Sequence, residues 1–128
     1  MRLLPLLLVL AGCAATGTDG PSRDQEALSR ELAGRAAGEA EFCIRPASSS
    51  AGLTVIDSRT LTYREGRTLW VNRLPDECPG LRPLDTLIVE LHGNRYCRHD
   101  RFRSIQSGSS IPGPTCLLGD FVPYRARG

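Results

Sequence analysis

Apolar and polar residues alternate in short runs over most of the chain after residue 52, and this alternation predicts β-strands. The predicted strands are 53–56, 60–64, 67–74, 86–91, 101–106 and a short one at Phe121 and Val122. The run 86–91 is the most apolar, so we expect it at the centre of a sheet. Residues 107–115 are rich in Gly, Pro and Ser and predict a loop.

The strands 60–64 and 67–74 flank Glu65 and Gly66 and predict a hairpin. If Gly66 takes the left-handed position of a three-residue loop, Tyr63 lies opposite Arg67 and Leu61 opposite Leu69. One face then carries Leu61, Tyr63, Leu69 and Val71, and the other carries Thr60, Thr62, Thr68 and Trp70. A two-residue loop would divide the aliphatic side chains between the faces. Burial of one face therefore selects the three-residue loop.

One helix is predicted before the strands. Ser22 and Gln25 have capping-box spacing, and Leu28, Leu32 and Ala36 form an apolar stripe along a helix. Gly34 and Gly38 weaken the later turns, so we expect the helix to end near 36–40 and to pack at the edge of the domain. The predicted fold is mainly β: a small antiparallel barrel or twisted sheet of five to six short strands with one N-terminal helix.

The first thirteen residues have the pattern of an export signal. Arg2 is followed by an apolar run at 3–11, which is shorter than the about 20 residues of a transmembrane helix. The run ends in LAGC at 10–13, which resembles the lipobox of bacterial lipoproteins, where the cysteine thiol receives a diacylglyceryl group. We expect 1–12 to be a signal peptide, 13–21 a flexible tether lipidated at Cys13, and 22–128 a single β-rich domain.

The residue after the cysteine bears on localisation. It is Ala14 and not the aspartate that retains lipoproteins in the inner membrane of enteric bacteria. We therefore expect the protein to be membrane-anchored in the periplasm, at the outer membrane.

Composition adds a prediction about the cysteines. The chain has five, and lipidation of Cys13 would leave an even set of four in an oxidising compartment. These four are Cys43, Cys78, Cys97 and Cys116, and two disulfides are expected among them. The spacing allows three connectivities. The formal net charge of +2 is too small to indicate a nucleic-acid partner.

Several segments resemble a family of small exported proteins of Gram-negative bacteria, a domain of unknown function. They are LAGRAAGEAEFCI, TVIDSRTLTYREGRTLWVNRL, the DTLIVEL stretch leading to 95–100, and LGDFVPY, which together cover about residues 31–125. The family supplies no activity. Some members carry only the cysteines that match Cys43 and Cys97, and others carry four. The resemblance therefore implies the pairs Cys43–Cys97 and Cys78–Cys116.

Residues of catalytic or metal-binding type cluster at 92–100. Zinc accepts the residue types of His92, Cys97, His99 and Asp100, but no repeated metal-ligand spacing appears, and a disulfide accounts for the cysteine. The chain also lacks a Cys-x-x-Cys pair and a Gly-x-Ser-x-Gly elbow. We expect no catalytic residue, metal or cofactor. The alternative is a hydrolase or metal-dependent enzyme that uses His92, His99 and Asp100.

A basic cluster follows in the same region, formed by Arg95, Arg98, Arg101 and Arg103 and offset by Asp100 alone. It predicts contact with phosphates of anionic lipid or lipopolysaccharide, or with carboxylates of peptidoglycan peptides. The alternative needs no ligand: such charges also prevent an outer strand from pairing with other chains. The sequence favours a non-catalytic binding or structural module of the envelope. Its expected partners are the membrane, through the anchor, and an anionic envelope component or envelope protein.

Overall fold

The computed structural model describes residues 12, 22–46 and 52–127, and in these it contains one helix and ten short strands. The helix α1 spans Arg23–Ala33. The strands are β1 (Arg35–Ala37), β2 (Cys43–Ile44), β3 (Thr54–Asp57), β4 (Thr60–Glu65), β5 (Thr68–Arg73), β6 (Thr86–Val89), β7 (Tyr96–Cys97), β8 (Arg101–Ile105), β9 (Cys116–Leu117) and β10 (Phe121–Ala126). None of the helical residues in these ranges forms a segment long and apolar enough to cross a membrane. The expected lipidation site, Cys13, and the tether lie outside the described residues.

The strands form three antiparallel sheets. The largest has the order β1-β10-β5-β4-β3, the second β6-β8-β9, and the third pairs β2 with β7. The predicted mainly β class with a single helix is confirmed, and the sheets do not close into a barrel. The strand number exceeds the expected five to six because four strands of two or three residues are too short to produce a periodic pattern.

The predicted register of the central hairpin is wrong. Glu65 pairs with Thr68 across a two-residue turn, so Tyr63 lies opposite Trp70 and Leu61 opposite Asn72. Gly66 does have a positive φ of 55°, as expected. The prediction failed because it assumed one buried face, whereas both faces of this sheet are covered.

The two faces of the hairpin contribute to different cores. Leu61, Tyr63 and Trp70 belong to the larger core, which the five-stranded sheet shares with the inner face of the three-stranded sheet, including Phe102. Leu69 and Val71 lie on the opposite face and pack beneath Leu28 of α1. The aliphatic residues that a single face was expected to bury are therefore divided between two cores, as the two-residue turn requires.

The helix begins as predicted and ends earlier. The Ser22 hydroxyl accepts a hydrogen bond from the Gln25 backbone N–H at 3.1 Å, which caps the helix N-terminus. The helix stops at Ala33 with Gly34 as its C-cap, and the chain then forms β1 on the edge of the sheet. Ala36 lies in β1 and is exposed, so the expected third residue of the apolar stripe does not belong to the helix.

The expected central position of 86–91 is also wrong. Its strand β6 is an edge strand, and β8 lies at the centre of the three-stranded sheet. Leu87 and Val89 pack against the larger core, whereas Ile88 points outward and is 49% exposed. The strand is apolar on both faces, although only one face is buried, and the apolar run was therefore misleading.

The described residues contain two disulfides, and they are the pairs that the resemblance implied. Cys43 and Cys97 are direct partners in the β2–β7 pair and are bonded to each other. Cys78, which is fully buried in the larger core, is bonded to Cys116 of β9. The second disulfide attaches the three-stranded sheet to the loop that follows β5.

The connection from β9 to β10 is fixed by a buried side chain of β5. The Asn72 Nδ2 donates to the Gly119 carbonyl at 2.7 Å, and its Oδ1 accepts from the Gly119 N–H at 2.8 Å. Asn72 is 0% exposed, so these bonds satisfy polar groups that water does not reach. A Cβ on Gly119 would overlap the carbonyl oxygen of Arg73, which explains why glycine occupies this position.

Candidate binding surface

The structure divides the four arginines of the basic cluster between different environments. Arg101 and Arg103 lie two residues apart on β8, so their side chains emerge from the same face of the three-stranded sheet. Arg98 lies in the turn between β7 and β8, and Arg95 precedes β7. Arg95 and Arg101 are exposed, and their side chains have no hydrogen-bond or ion-pair partner within the described ranges. Sequence proximity therefore does not produce one continuous patch.

Arg98 is occupied by contacts within the protein. Its guanidinium carbon lies 5.0 Å from the centre of the Phe42 ring, and its Nη1 is 3.4 Å from Oδ1 of Asp120. Its backbone N–H also donates to the Phe42 carbonyl at 2.7 Å. A carboxylate and an aromatic face thus already balance this charge, and Arg98 contributes less to an external anion site than the sequence suggested.

The outward face of the three-stranded sheet, which we call the outer face, combines aliphatic and cationic side chains. Ile88 lies opposite Arg103, and Leu117 lies opposite Arg101. Ile88 and Leu117 are 49% and 39% exposed. This face therefore presents exposed aliphatic side chains next to arginines on a regular sheet.

Acidic residues border the outer face at both of its edges. Asp76 and Glu77 line a groove together with Leu117 at the β9 edge, and Glu90 lies at the β6 edge. Glu90 follows β6, and its backbone N–H donates to the Arg101 carbonyl at 2.8 Å, which places the two residues opposite each other. Their side chains form no ion pair. The Nε–H of Arg103 donates to the Gly113 carbonyl at 2.8 Å, which fixes the stem of this side chain, and its Nη atoms have no partner in the part of the chain that the structure describes.

Two exposed aliphatic residues, Leu84 and Ile111, lie in loops at one end of the same sheet, and we call them the loop tips. Leu84 is 89% exposed and Ile111 is 77% exposed. Leu84 lies two residues before Thr86, the first residue of β6. Thr86 pairs with Ile105, the last residue of β8. Ile111 adjoins Pro112, which bridges to Ile105 from the other side. Both loop tips therefore flank the end of β8.

Leu84 has an unusual backbone conformation. Pro83 and Leu84 occupy the centre of a turn that is closed by the Asp85 N–H donating to the Arg82 carbonyl at 3.2 Å. The φ of Leu84 is +73°, in the left-handed region that this kind of turn normally reserves for glycine or asparagine. An L-leucine in this conformation is strained. Burial of its side chain does not offset this cost, because the side chain is exposed.

The histidines and Asp100 do not form a shared site. Asp100 is buried, and its Oδ2 accepts from the Cys97 N–H at 2.8 Å, which stabilises the turn between β7 and β8. Its Oδ1 lies 3.3 Å from Nδ1 of His92, whose side chain is 78% exposed. His99 instead makes an edge contact with the Phe42 ring at 6.5 Å. Cys97 is in a disulfide, and no group of three potential metal ligands occurs among the described residues.

A cleft of about 320 Å³ lies between α1 and the edge of the five-stranded sheet. Its floor is apolar, with Leu28 and Ile56 among its lining residues. Glu31 lines it as well, and its carboxylate lies 2.7 Å from Arg64 and 3.4 Å from Arg35. The Glu31 and Arg64 charges are therefore paired with each other, whereas Asp24, which also lines the cleft, has no ion-pair partner among the described residues.

The pKa of the Tyr96 phenol is raised by the surroundings of its side chain. It lies half-buried beside the larger core, with its ring 6.4 Å from that of Tyr63. Burial raises the pKa of the Tyr96 phenol above its ordinary value of 10.0, and Tyr63 raises it further. The phenol is therefore neutral at physiological pH and serves packing.

The loop tips were not identified from the sequence. Leu84 follows a proline and precedes an aspartate, and Ile111 stands in a stretch of serine, glycine and proline. A large aliphatic residue in such a polar turn is the signal that would have indicated them. No family of known proteins, no curated protein and no solved structure matches this chain, so the surfaces are interpreted from their own geometry.

Proposed function

We propose that this protein is an exported lipoprotein, held at a membrane of the bacterial envelope by acyl chains on Cys13, and that its β-rich domain is a non-catalytic binding module. The observation that carries the proposal is the distribution of its five cysteines. Four of them form two disulfides, which persist in an oxidising compartment. The fifth, Cys13, stands in the LAGC motif and has no cysteine left to pair with.

The binding role is supported by the outer face. Arg101 and Arg103 project from a rigid strand, next to the exposed side chains of Ile88 and Leu117. Guanidinium groups bind phosphates and carboxylates through pairs of hydrogen bonds, so the expected ligand is an anionic component of the envelope. The contacts of Asp100 support a structural role for this carboxylate, because they hold the β7–β8 turn in place.

The anchor is tested by expressing the full chain in Gram-negative cells with a radiolabelled fatty acid. We expect label on the wild-type protein and on a Thr16→Ala control, which alters the tether and leaves the motif intact. Cys13→Ala should carry no label and accumulate as the unprocessed precursor. Normal processing of Cys13→Ala, or wild-type protein found unlabelled in the cytosol with free thiols, would refute the proposal.

A further inference from the structure

We propose that the free edge of β6 is a pairing site through which two copies of this chain form a symmetric antiparallel dimer. Residues 86–90 of one copy pair with residues 86–90 of the other, and the two Ile88 residues lie opposite each other at the two-fold axis. The two three-stranded sheets then form one continuous sheet. This inference goes beyond the proposed function, because it concerns how copies associate and does not depend on the anchor at Cys13.

The far side of β6 carries backbone groups that are available for pairing. The Glu90 N–H donates to the Arg101 carbonyl directly opposite, so the backbone groups of Ile88, two residues earlier, also point toward β8. The intervening residues point the other way. The N–H and C=O groups of Leu87 and Val89 therefore face the open edge, where no described segment pairs with them. A partner strand could form a regular ladder with these groups.

Strand β6 lacks the features by which edge strands avoid pairing with other chains. Its four residues, TLIV, include no charge and no proline, and its pairing with β8 is free of bulges. The other edges of the two larger sheets differ. Strand β3 has a register shift between Val55 and Asp57, β1 begins with Arg35, and β9 has only two residues. Among the described strands, β6 is therefore the edge best suited to adding a strand.

The side chains of β6 are apolar on both faces, although one copy of the chain covers only one of them. Leu87 and Val89 pack against the larger core, whereas Ile88 is 49% exposed on the outer face. Opposite residues of a non-hydrogen-bonded pair have Cα atoms about 4.5 Å apart, so the two Ile88 side chains would contact each other at the axis. The dimer thus removes from water the exposed aliphatic residue of this strand.

The segment 86–90 is complementary to itself in antiparallel orientation, which favours a second copy as the partner. With the two Ile88 residues opposite each other, Leu87 lies opposite Val89 and Thr86 opposite Glu90. Each pair of Leu87 with Val89 exchanges two backbone hydrogen bonds. Shifting one copy by two residues places Glu90 opposite Ile88 in one direction, and moves the turn before β6 into the ladder in the other. The symmetric register is therefore favoured.

The charges of the two copies are compatible with this arrangement. Glu90 would lie between Arg101 of its own copy and Thr86 of the other. Arg103 lies opposite Ile88, so three strand spacings, roughly 14 Å, separate Arg103 from its equivalent. This distance exceeds the Debye length of about 8 Å at physiological salt. The outer faces of the two copies become continuous, and the dimer presents the arginines of both on one sheet.

The size of the contact predicts reversible association. Five residues from each copy bury less than the roughly 800 Å² per partner of a typical stable complex. We therefore expect a Kd on the order of 10 µM or higher. Covalent trapping at defined positions detects such a dimer and also reports its register.

The test uses single cysteine substitutions in the full chain, expressed in Gram-negative cells and purified in mild detergent at a concentration above this Kd. Ile88→Cys places two thiols across the axis, at a Cα separation that permits a disulfide. Leu91→Cys is the matched control, because Leu91 is 50% exposed but lies roughly 20 Å from its equivalent in this register. After mild oxidation, we expect at least about tenfold more covalent dimer with Ile88→Cys. Peptide mass mapping identifies the linked positions.

A second pair of variants tests the register. Thr86→Cys mixed with Glu90→Cys should form a linkage between positions 86 and 90. Either variant alone should not, because equivalent positions then lie about 13 Å apart along the strands. In the same mixture, adding Ile88→Lys places two ammonium groups opposite each other and should abolish the linkage. Adding Leu117→Lys instead changes an exposed aliphatic residue at the opposite edge of the outer face and should leave the linkage unchanged. Mapping of the two native disulfides verifies that each variant is folded.

Several results would overturn the inference. They are the absence of an 88–88 linkage, equal trapping of Leu91→Cys, linkage by Thr86→Cys or Glu90→Cys alone, and a linkage that survives Ile88→Lys. Loss of the linkage with Leu117→Lys would also overturn it, because the copies would then associate through the outer face and not through the edge of β6. The linkages are read on purified protein whether or not Cys13 is lipidated, so their absence leaves the proposed function intact.

Discussion

Replacing Leu84 with asparagine should stabilise the domain. A left-handed backbone costs an L-residue such as leucine roughly 1–2 kcal/mol, and asparagine adopts this conformation at a lower cost. The leucine side chain is 89% exposed, so its removal forfeits only about a tenth of the ~1.5–3 kcal/mol that full burial of a leucine contributes. The free energy of unfolding should therefore rise by roughly 0.5–1 kcal/mol.

Thermal unfolding of the oxidised domain, followed by circular dichroism, measures this change. The expected gain corresponds to a midpoint about 2–6 °C higher for a domain of this size. Leu84→Ala is the matched control, because it removes the same side chain and keeps the left-handed strain, so its midpoint should stay near that of the wild type. If the asparagine variant unfolds at a lower temperature than the alanine variant, the strain argument is wrong.

Three further predictions concern the rest of the domain. Replacing Cys78 and Cys116 with serine opens a disulfide with a sequence separation of 38 and should lower the free energy of unfolding by roughly 4 kcal/mol; an unchanged midpoint in urea would contradict this. Asn72→Ala leaves the buried N–H and carbonyl of Gly119 unpaired and should cost about 2–5 kcal/mol in the same assay, whereas the exposed Asn94→Ala serves as a control with little effect. The raised pKa of Tyr96 means that its neutral phenol contributes stability below pH 10.0, which is lost as the pH rises through the folded-state pKa. Tyr96→Phe should therefore show a smaller loss of stability between neutral and strongly alkaline pH, and an alkaline unfolding profile identical to that of the wild type would exclude this contribution.

Local chemistry in the sequence was sufficient for several elements. Ser22 caps the helix as its spacing with Gln25 indicated, and Gly66 closes the hairpin with a positive φ. Alternating patterns located β3, β4, β5, β6 and β8 within a residue or two, whereas β10 continues four residues beyond the short strand predicted at Phe121 and Val122. The shared face of Arg101 and Arg103 also follows from local sequence, because residues two apart on a strand lie on the same face. The disulfide pairs came from the resemblance, since four cysteines by themselves allow three connectivities.

The remaining features depend on which surfaces meet in three dimensions. Whether Leu69 shares a face with Leu61 is decided by α1, which covers the second face of the sheet and makes the two-residue turn favourable. The same dependence explains why the apolar run 86–91 lies at an edge. Periodicity reports which side chains would benefit from burial, but not how many faces the rest of the chain covers.

The sequence by itself determined the class of the fold, the positions of its principal strands and the paired arginines of β8. Only the tertiary structure decided that Arg98 is balanced by Phe42 and Asp120, and that Leu84 and Ile111 flank one end of a sheet. The reason is physical. Backbone conformation and periodicity depend on near neighbours, whereas charge pairing and exposure depend on residues that are distant in the chain and become neighbours only on folding.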